Sequence, residues 1–140
     1  MGFGALTEKV EGASRSHGNI HLHKAVPANE VARYSAGADV GLVTIEPVSQ
    51  SYLYAMPNKM FECRMAGIPV IVTNLPDMAN MIETYGGGWT VEPNANALAD
   101  LVGQLDREKV NSVDAISKPF PTWDDAKAVL VDAVCKTLRT

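Results

Sequence analysis

The stretch YAMPNKMFECRMAGIPVIVTN, Tyr54–Asn74, carries a helix signal followed at once by a strand signal. Pro57 suits the first turn of a helix, where its missing N–H would have had no partner anyway. The spacing predicts a helix from Pro57 to about Ala66, with Gly67 as the residue that turns the chain out of it. Ile68–Asn74 is then a short continuous apolar run, the pattern of a buried parallel strand. Inside the helix, Lys59 lies in the first turn and Glu62 three residues on, so both side chains leave one side. A cation at that end opposes the positive pole of the helix dipole, at a cost of about 0.3–1 kcal/mol where exposed. A bound anion reverses the sign, because free backbone N–H groups and the lysine then converge on one negative charge. Glu62 is too repulsive to touch such an anion, but it can accept hydrogen bonds from a neighbouring ribose diol. The competing reading is a surface ion pair between the two, worth a few tenths of a kcal/mol.

Outward from this stretch, strand and helix patterns alternate. Leu6, Val10 and Ala13 trace a helical face closed by Gly18. Asn19–Val26 alternates Ile20 and Leu22 with His21 and His23, which predicts a strand. Pro27 opens a helix carrying Val31 and Tyr34. Asp39–Ile45 reads as a buried strand, and residues 46–56 fit neither period and are expected to form a loop. Beyond Asn74, Pro76 and Asp77 start a helix with Met78, Met81, Ile82 and Tyr85 on one face, stopped by Gly86, Gly87 and Gly88. Trp89–Pro93 is a short strand, Leu98–Leu105 marks a helix to about Asp106, and residues 107–121 look irregular. Thr122 and Asp125 form a capping-box pattern ahead of Val129, Leu130, Ala133, Val134 and Leu138. The five methionines at 56, 60, 65, 78 and 81 are expected to fill the core.

The implied fold is α/β, a Rossmann-like parallel sheet with flanking helices. With 140 residues the chain fits one domain, and 46% hydrophobic with 20% charged residues is ordinary for a globular protein. A net charge of −4 argues against nucleic acid as a partner. No apolar run is long enough to span a bilayer, and the first residues match neither a signal peptide nor, with Leu6 at the critical position, a myristoylation site. Cys63 and Cys135 belong to no CxxC unit and read as reduced thiols, so the expected compartment is the cytoplasm. In an open parallel sheet ligands bind beyond the carboxyl ends of the strands. Here that places the chemistry at the loops after Ile45 and Asn74 and at the start of the Pro57 helix.

Three runs, ADVGLVTI, PNKMFECRMAGIPVIVTN and ETYGGGWTVEPNANALADLV, resemble the C-terminal domain of retaining, nucleotide-sugar-dependent glycosyltransferases of the GT-B fold, the group 1 type. In that family an irregular loop leads into a helix bearing a glutamate, and a Gly-x-Pro-Val turn enters the next strand. Those parts match Glu62, Ala66–Gly67 and Ile68–Val70. TWDDAKAVLVDAVCKTL is similar to the family's tryptophan-led C-terminal helix, GFGALTEKV to its glycine turn, and NIHLHKAVPANEVARYSAGADV to the segment after that turn. The resemblance covers nearly the whole chain in order. It implies that Glu62 binds the ribose of the donor nucleotide, that amides from about Met56 to Asn58 face its pyrophosphate or sugar, and that Ala25 and Val26 lie beside the base. Pro57, Asn58 and Lys59 then form the diphosphate-binding helix start. No cofactor or metal is implied beyond the nucleotide-sugar substrate, typically a UDP- or GDP-sugar used in polysaccharide or glycan synthesis.

Two departures stand out. The family commonly carries a second glutamate eight positions before the first, contacting the donor sugar, and Tyr54 occupies that position; Glu46 is the nearest upstream acid, at a different spacing. The chain also starts at the glycine turn, without the family's opening strand–helix–strand or its N-terminal acceptor domain. The resemblance therefore implies a partial, N-terminally truncated domain, inactive alone and completed by an acceptor domain or partner chain, with peripheral membrane association a property of the full-length enzyme. No catalytic residue is identified. Competing readings are an epimerase of the same fold, a flavodoxin- or receiver-like binding module, which Asp39 at the start of its strand disfavours, and a fragment that folds only against a partner. The lone GFG triplet is weak evidence for phosphate binding, and His21 with His23 lacks a third metal ligand.

Overall fold

The structure is a computed structural model that describes residues 2, 4–115, 118 and 122–138. Among the described residues three parallel strands lie in chain order, β1 (Gly41–Val43), β2 (Val70–Thr73) and β3 (Gly88–Val91). Val43 pairs with Val72, and Thr73 with Val91. All four residues of β2 are buried, as a central strand covered on both faces must be. Val70 and Val72 of this strand pack with Val43, Met60, Cys63, Ile68, Leu75 and Met78 in one cluster. Each fully buried aliphatic or methionine side chain there contributes about 1.5–3 kcal/mol.

The helices are α1 (Thr7–Ser16), α2 (Val31–Ser35, after a 3-10 turn at Ala28–Glu30), α3 (Gln50–Leu53), α4 (Asn58–Met65), α5 (Pro76–Tyr85), α6 (Ala95–Gln104), α7 (Arg107–Ser112) and α8 (Trp123–Leu138). Their ends follow local chemistry. At the end of α4 the Gly67 N–H donates to Arg64 O and the Ile68 N–H to Cys63 O, a Schellman motif with Gly67 at φ 76°. α5 has Pro76 in its first turn and stops at Gly86, φ 67°. Asn94 caps α6 by accepting from the Ala97 N–H. The capping box of α8 forms reciprocally: the Thr122 N–H donates to Asp125 Oδ2 at 2.7 Å, and the Asp125 N–H donates to Thr122 Oγ1. The hydrogen bonds that the Asp125 carboxylate accepts, from the Thr122 N–H and the Thr122 hydroxyl, hold it below its ordinary pKa.

Five sequence expectations are corrected. Residues 19–26 form no strand: a strand requires a paired neighbour, and among the described residues the segment's only backbone–backbone bonds are the Gly2 N–H donating to His23 O and the Ile20 N–H donating to His17 O. His21 and His23 therefore share no strand face, and His23 instead lies 5.1 Å from the Tyr34 ring. Asp39–Ile45 contributes only three strand residues, with Leu42 54% exposed, because β1 is an edge strand. Residues 46–56 contain α3, capped by Ser49, and the stretch after Asp106 contains α7, which Asp106 caps by accepting from the Lys109 N–H. Met65 is 80% exposed, since it falls on the side of α4 away from Met60 and Cys63. Phe3 of the GFG triplet, and residues 116, 117 and 119–121 of the segment expected to be irregular, lie outside the described residues.

The tip of the sheet and the start of α4

The functional candidates meet at the carboxyl ends of β1 and β2. Thr73, the buried polar residue of the core, ends β2, and its Oγ1 accepts a hydrogen bond from the Ile45 N–H at 2.7 Å. That bond joins the two strand tips and fixes where the chain leaves β1. The chain returns through α3 to Pro57, whose extended backbone (φ −72°, ψ 140°) makes it the cap of α4 rather than its first helical residue.

Among the described residues no side chain caps the start of α4. The Met60 N–H donates to Pro57 O, whereas the N–H groups of Asn58 and Lys59 have no acceptor among the described residues. Helix starts normally satisfy such donors from the cap residue, and a proline cap has no side-chain acceptor to offer. Lys59 adds an exposed ammonium to these two amides. It forms no ion pair with Glu62, although Lys136 and Asp132 on α8 do pair, at 2.7 Å. The surface-pair alternative for Lys59 and Glu62 is thus absent from the structure.

Lys59, Glu62, Asn58 and Pro57 line one cleft of about 440 Å³ with Leu42, Val43, Thr44 and Ile45. A second cleft, about 340 Å³, takes Lys59, Glu62 and Leu42 again and adds Ala25, Val26 and Cys63. Five of the six sequence candidates therefore surround one pair of adjoining clefts. Tyr54 lines neither cleft; it ends α3, donating its N–H to Gln50 O, and is 58% exposed. Of the amides from Met56 to Asn58, Pro57 has none to give. Beneath Glu62, burial pushes the Cys63 thiol pKa up; the Glu62 carboxylate adds to this and Lys59 opposes it.

The residues that sequence reasoning passed over hold the frame. Arg64 donates to Gly86 O at 3.1 Å, to Tyr85 O at 3.3 Å and to Lys118 O, while Lys118 Nζ donates to Thr84 O at 2.9 Å. Two cations thus neutralise the carbonyl end of α5. Burial pulls the Arg64 pKa down and Asp114 opposes that shift. The only sequence signal for Thr73 is a polar residue closing the apolar run VIVT.

Among the described residues, no helix is long and apolar enough to cross a membrane. No curated protein and no solved structure matches the chain. The family model described as "Glycosyl transferases group 1" matches residues 1–107, and a parallel sheet with flanking helices fits it. With most of its length matched, the chain belongs to the group 1 glycosyltransferase family.

Proposed function

We propose that this chain binds the nucleoside diphosphate of a nucleotide-sugar donor, as the donor half of a sugar transferase. The observation that supports this reading most is the uncapped start of α4, where two free N–H groups and the unpaired Lys59 ammonium meet in one cleft. Three donors, one of them cationic, suit a diphosphate: hydrogen bonds to ionised groups are about twice as strong as neutral ones. Glu62, half-buried one turn on, would accept from the ribose diol, and Val26 in the adjoining cleft offers apolar surface to the base. As sugar leaves the diphosphate, negative charge grows on the departing oxygens, and fixed donors already aimed there lower that barrier. Completion of the transfer site would fall to an acceptor domain or a partner chain, in cytoplasmic polysaccharide or glycan assembly.

Calorimetry with UDP, GDP and inorganic phosphate tests the reading. UDP or GDP should bind and Lys59→Ala should weaken that binding, while Lys127→Ala, on the exposed face of α8, leaves it unchanged. Lys118 is unsuitable as a control because it holds Thr84 O. Equal binding by the Lys59→Ala and Lys127→Ala proteins contradicts the proposal.

A further inference from the structure

Arg64 sits at the end of α4 but does not serve that end. The backbone already closes the helix: Glu62 O accepts from the Ala66 N–H, Cys63 O from the Ile68 N–H and Arg64 O from the Gly67 N–H. The guanidinium binds the end of α5 instead. Its Nη1 donates to Gly86 O at 3.1 Å, and its Nη2 donates to Tyr85 O at 3.3 Å and to Lys118 O. Gly87, at φ 85°, leaves the room for this crossing, since a Cβ there would lie 2.6 Å from Arg64 Nη1.

What α4 gains is a fixed rotation. The helix is eight residues long and buries only Met60 and Cys63. Those two side chains seat it on the sheet, where it packs against β1 and β2, but two contacts on one side resist a roll about the axis weakly. At the ~5–6 Å radius of a helix with its side chains, a roll of about 10° carries a side-chain tip about 1 Å. A displacement of about that size degrades any site built from several converging groups. A planar fork bonded to carbonyls of two other segments fixes direction as well as distance. It acts about 7–8 Å along the axis from Lys59, at ~1.5 Å per residue.

We infer that Arg64 is a positioning residue of the nucleotide cleft: tied to the carbonyl end of α5, it sets the rotation of α4 and so where Lys59 and Glu62 stand over the strand tips. The inference rests on the nucleotide reading. Arg64 lines neither of the two clefts that hold Lys59 and Glu62, so it acts through those side chains without touching the ligand.

The test is a double-mutant cycle on the full chain, with UDP affinity read by calorimetry for Arg64→Met, Lys59→Ala and the two combined. Asp106→Ala, which removes the cap of α7, controls for lost stability. Arg64→Met should weaken UDP binding about ten-fold, but only about three-fold when Lys59 is already alanine, because no ammonium is then left to misplace. Asp106→Ala should leave the affinity unchanged. Arg64→Lys should regain part of the stability and little of the affinity, since an ammonium restores the charge without the fork. Nitrogen-15 spectra of the free protein should show the Asn58 and Lys59 amides displaced in both Arg64 variants and not in Asp106→Ala. If Arg64→Met does not fold, Arg64→Lys takes its place in the cycle. Affinity within about two-fold of the parent, an additive cycle, an equal loss in Asp106→Ala or unmoved amides overturns the inference and leaves the nucleotide reading intact. Failure of UDP and GDP to bind the parent removes that reading instead, and the amide shifts alone then decide whether Arg64 sets the start of α4.

Discussion

Replacing Lys59 by alanine should move stability and ligand affinity in opposite directions. In the free protein Lys59 sits two residues past the cap of α4, exposed and unpaired, against the positive end of the helix. Its removal relieves about 0.3–1 kcal/mol, and alanine adds a few tenths through helix propensity. The free Lys59→Ala protein is therefore expected to be about 0.5–1 kcal/mol more stable, which for a chain of this size raises Tm by about 1–4 °C. UDP binding should lose one charge-assisted hydrogen bond, about 1.5–3 kcal/mol, so Kd rises about 10- to 150-fold. Urea melts of the free protein and calorimetric titration at low salt read the two quantities. Added salt should weaken binding to the unsubstituted chain more than to the variant, since the ammonium is exposed. A variant less stable than its parent, or one whose UDP affinity falls less than about two-fold, refutes the reasoning, because Lys59 would then be a structural residue.

Arg64→Met removes the guanidinium that holds the Tyr85, Gly86 and Lys118 carbonyls; it should cost about 2–3 kcal/mol in a urea melt, and Arg64→Lys should recover less than half, lacking the forked donor geometry. Gly88→Ala drives a Cβ into the Val70 carbonyl of the neighbouring strand and should cost about 3 kcal/mol or more, seen as loss of cooperative unfolding. Native protein should react with a thiol reagent at Cys135 alone, since Cys63 is buried. Because folding raises the Cys63 pKa, the protonated thiol's contribution is intact below the ordinary value near 8.5 and is lost as pH rises through the raised one; Cys63→Ser should flatten the decline of the urea midpoint across that window.

Patterns that depend on a few neighbouring residues were legible in the sequence. The Gly67 exit from α4, the Gly86 stop of α5 and the Thr122–Asp125 capping box each rest on backbone geometry that one or two side chains dictate. The run IPVIVT gave β2 because a central strand needs apolar residues on both faces. Features that depend on a distant partner were not legible. Asn19–Val26 has the alternation of a strand but no strand to pair with among the described residues, and Leu42 is exposed because β1 lies at the edge of their sheet. Asp106 and Ser49 are ordinary cap residues whose helices were too short to show a period. Within the candidate site, the spacing of Lys59 and Glu62 was readable, but the absence of an ion pair between them is set by side-chain conformation. The bond from Ile45 to Thr73 spans 28 residues, and no local pattern announces it.

A structure of this chain with UDP bound tests the central claim most directly. The account predicts the diphosphate at the start of α4, with oxygens about 3 Å from Lys59 Nζ and from the Asn58 and Lys59 nitrogens, and the ribose diol on Glu62. UDP lodged elsewhere, or Lys59 turned away from it, contradicts the account.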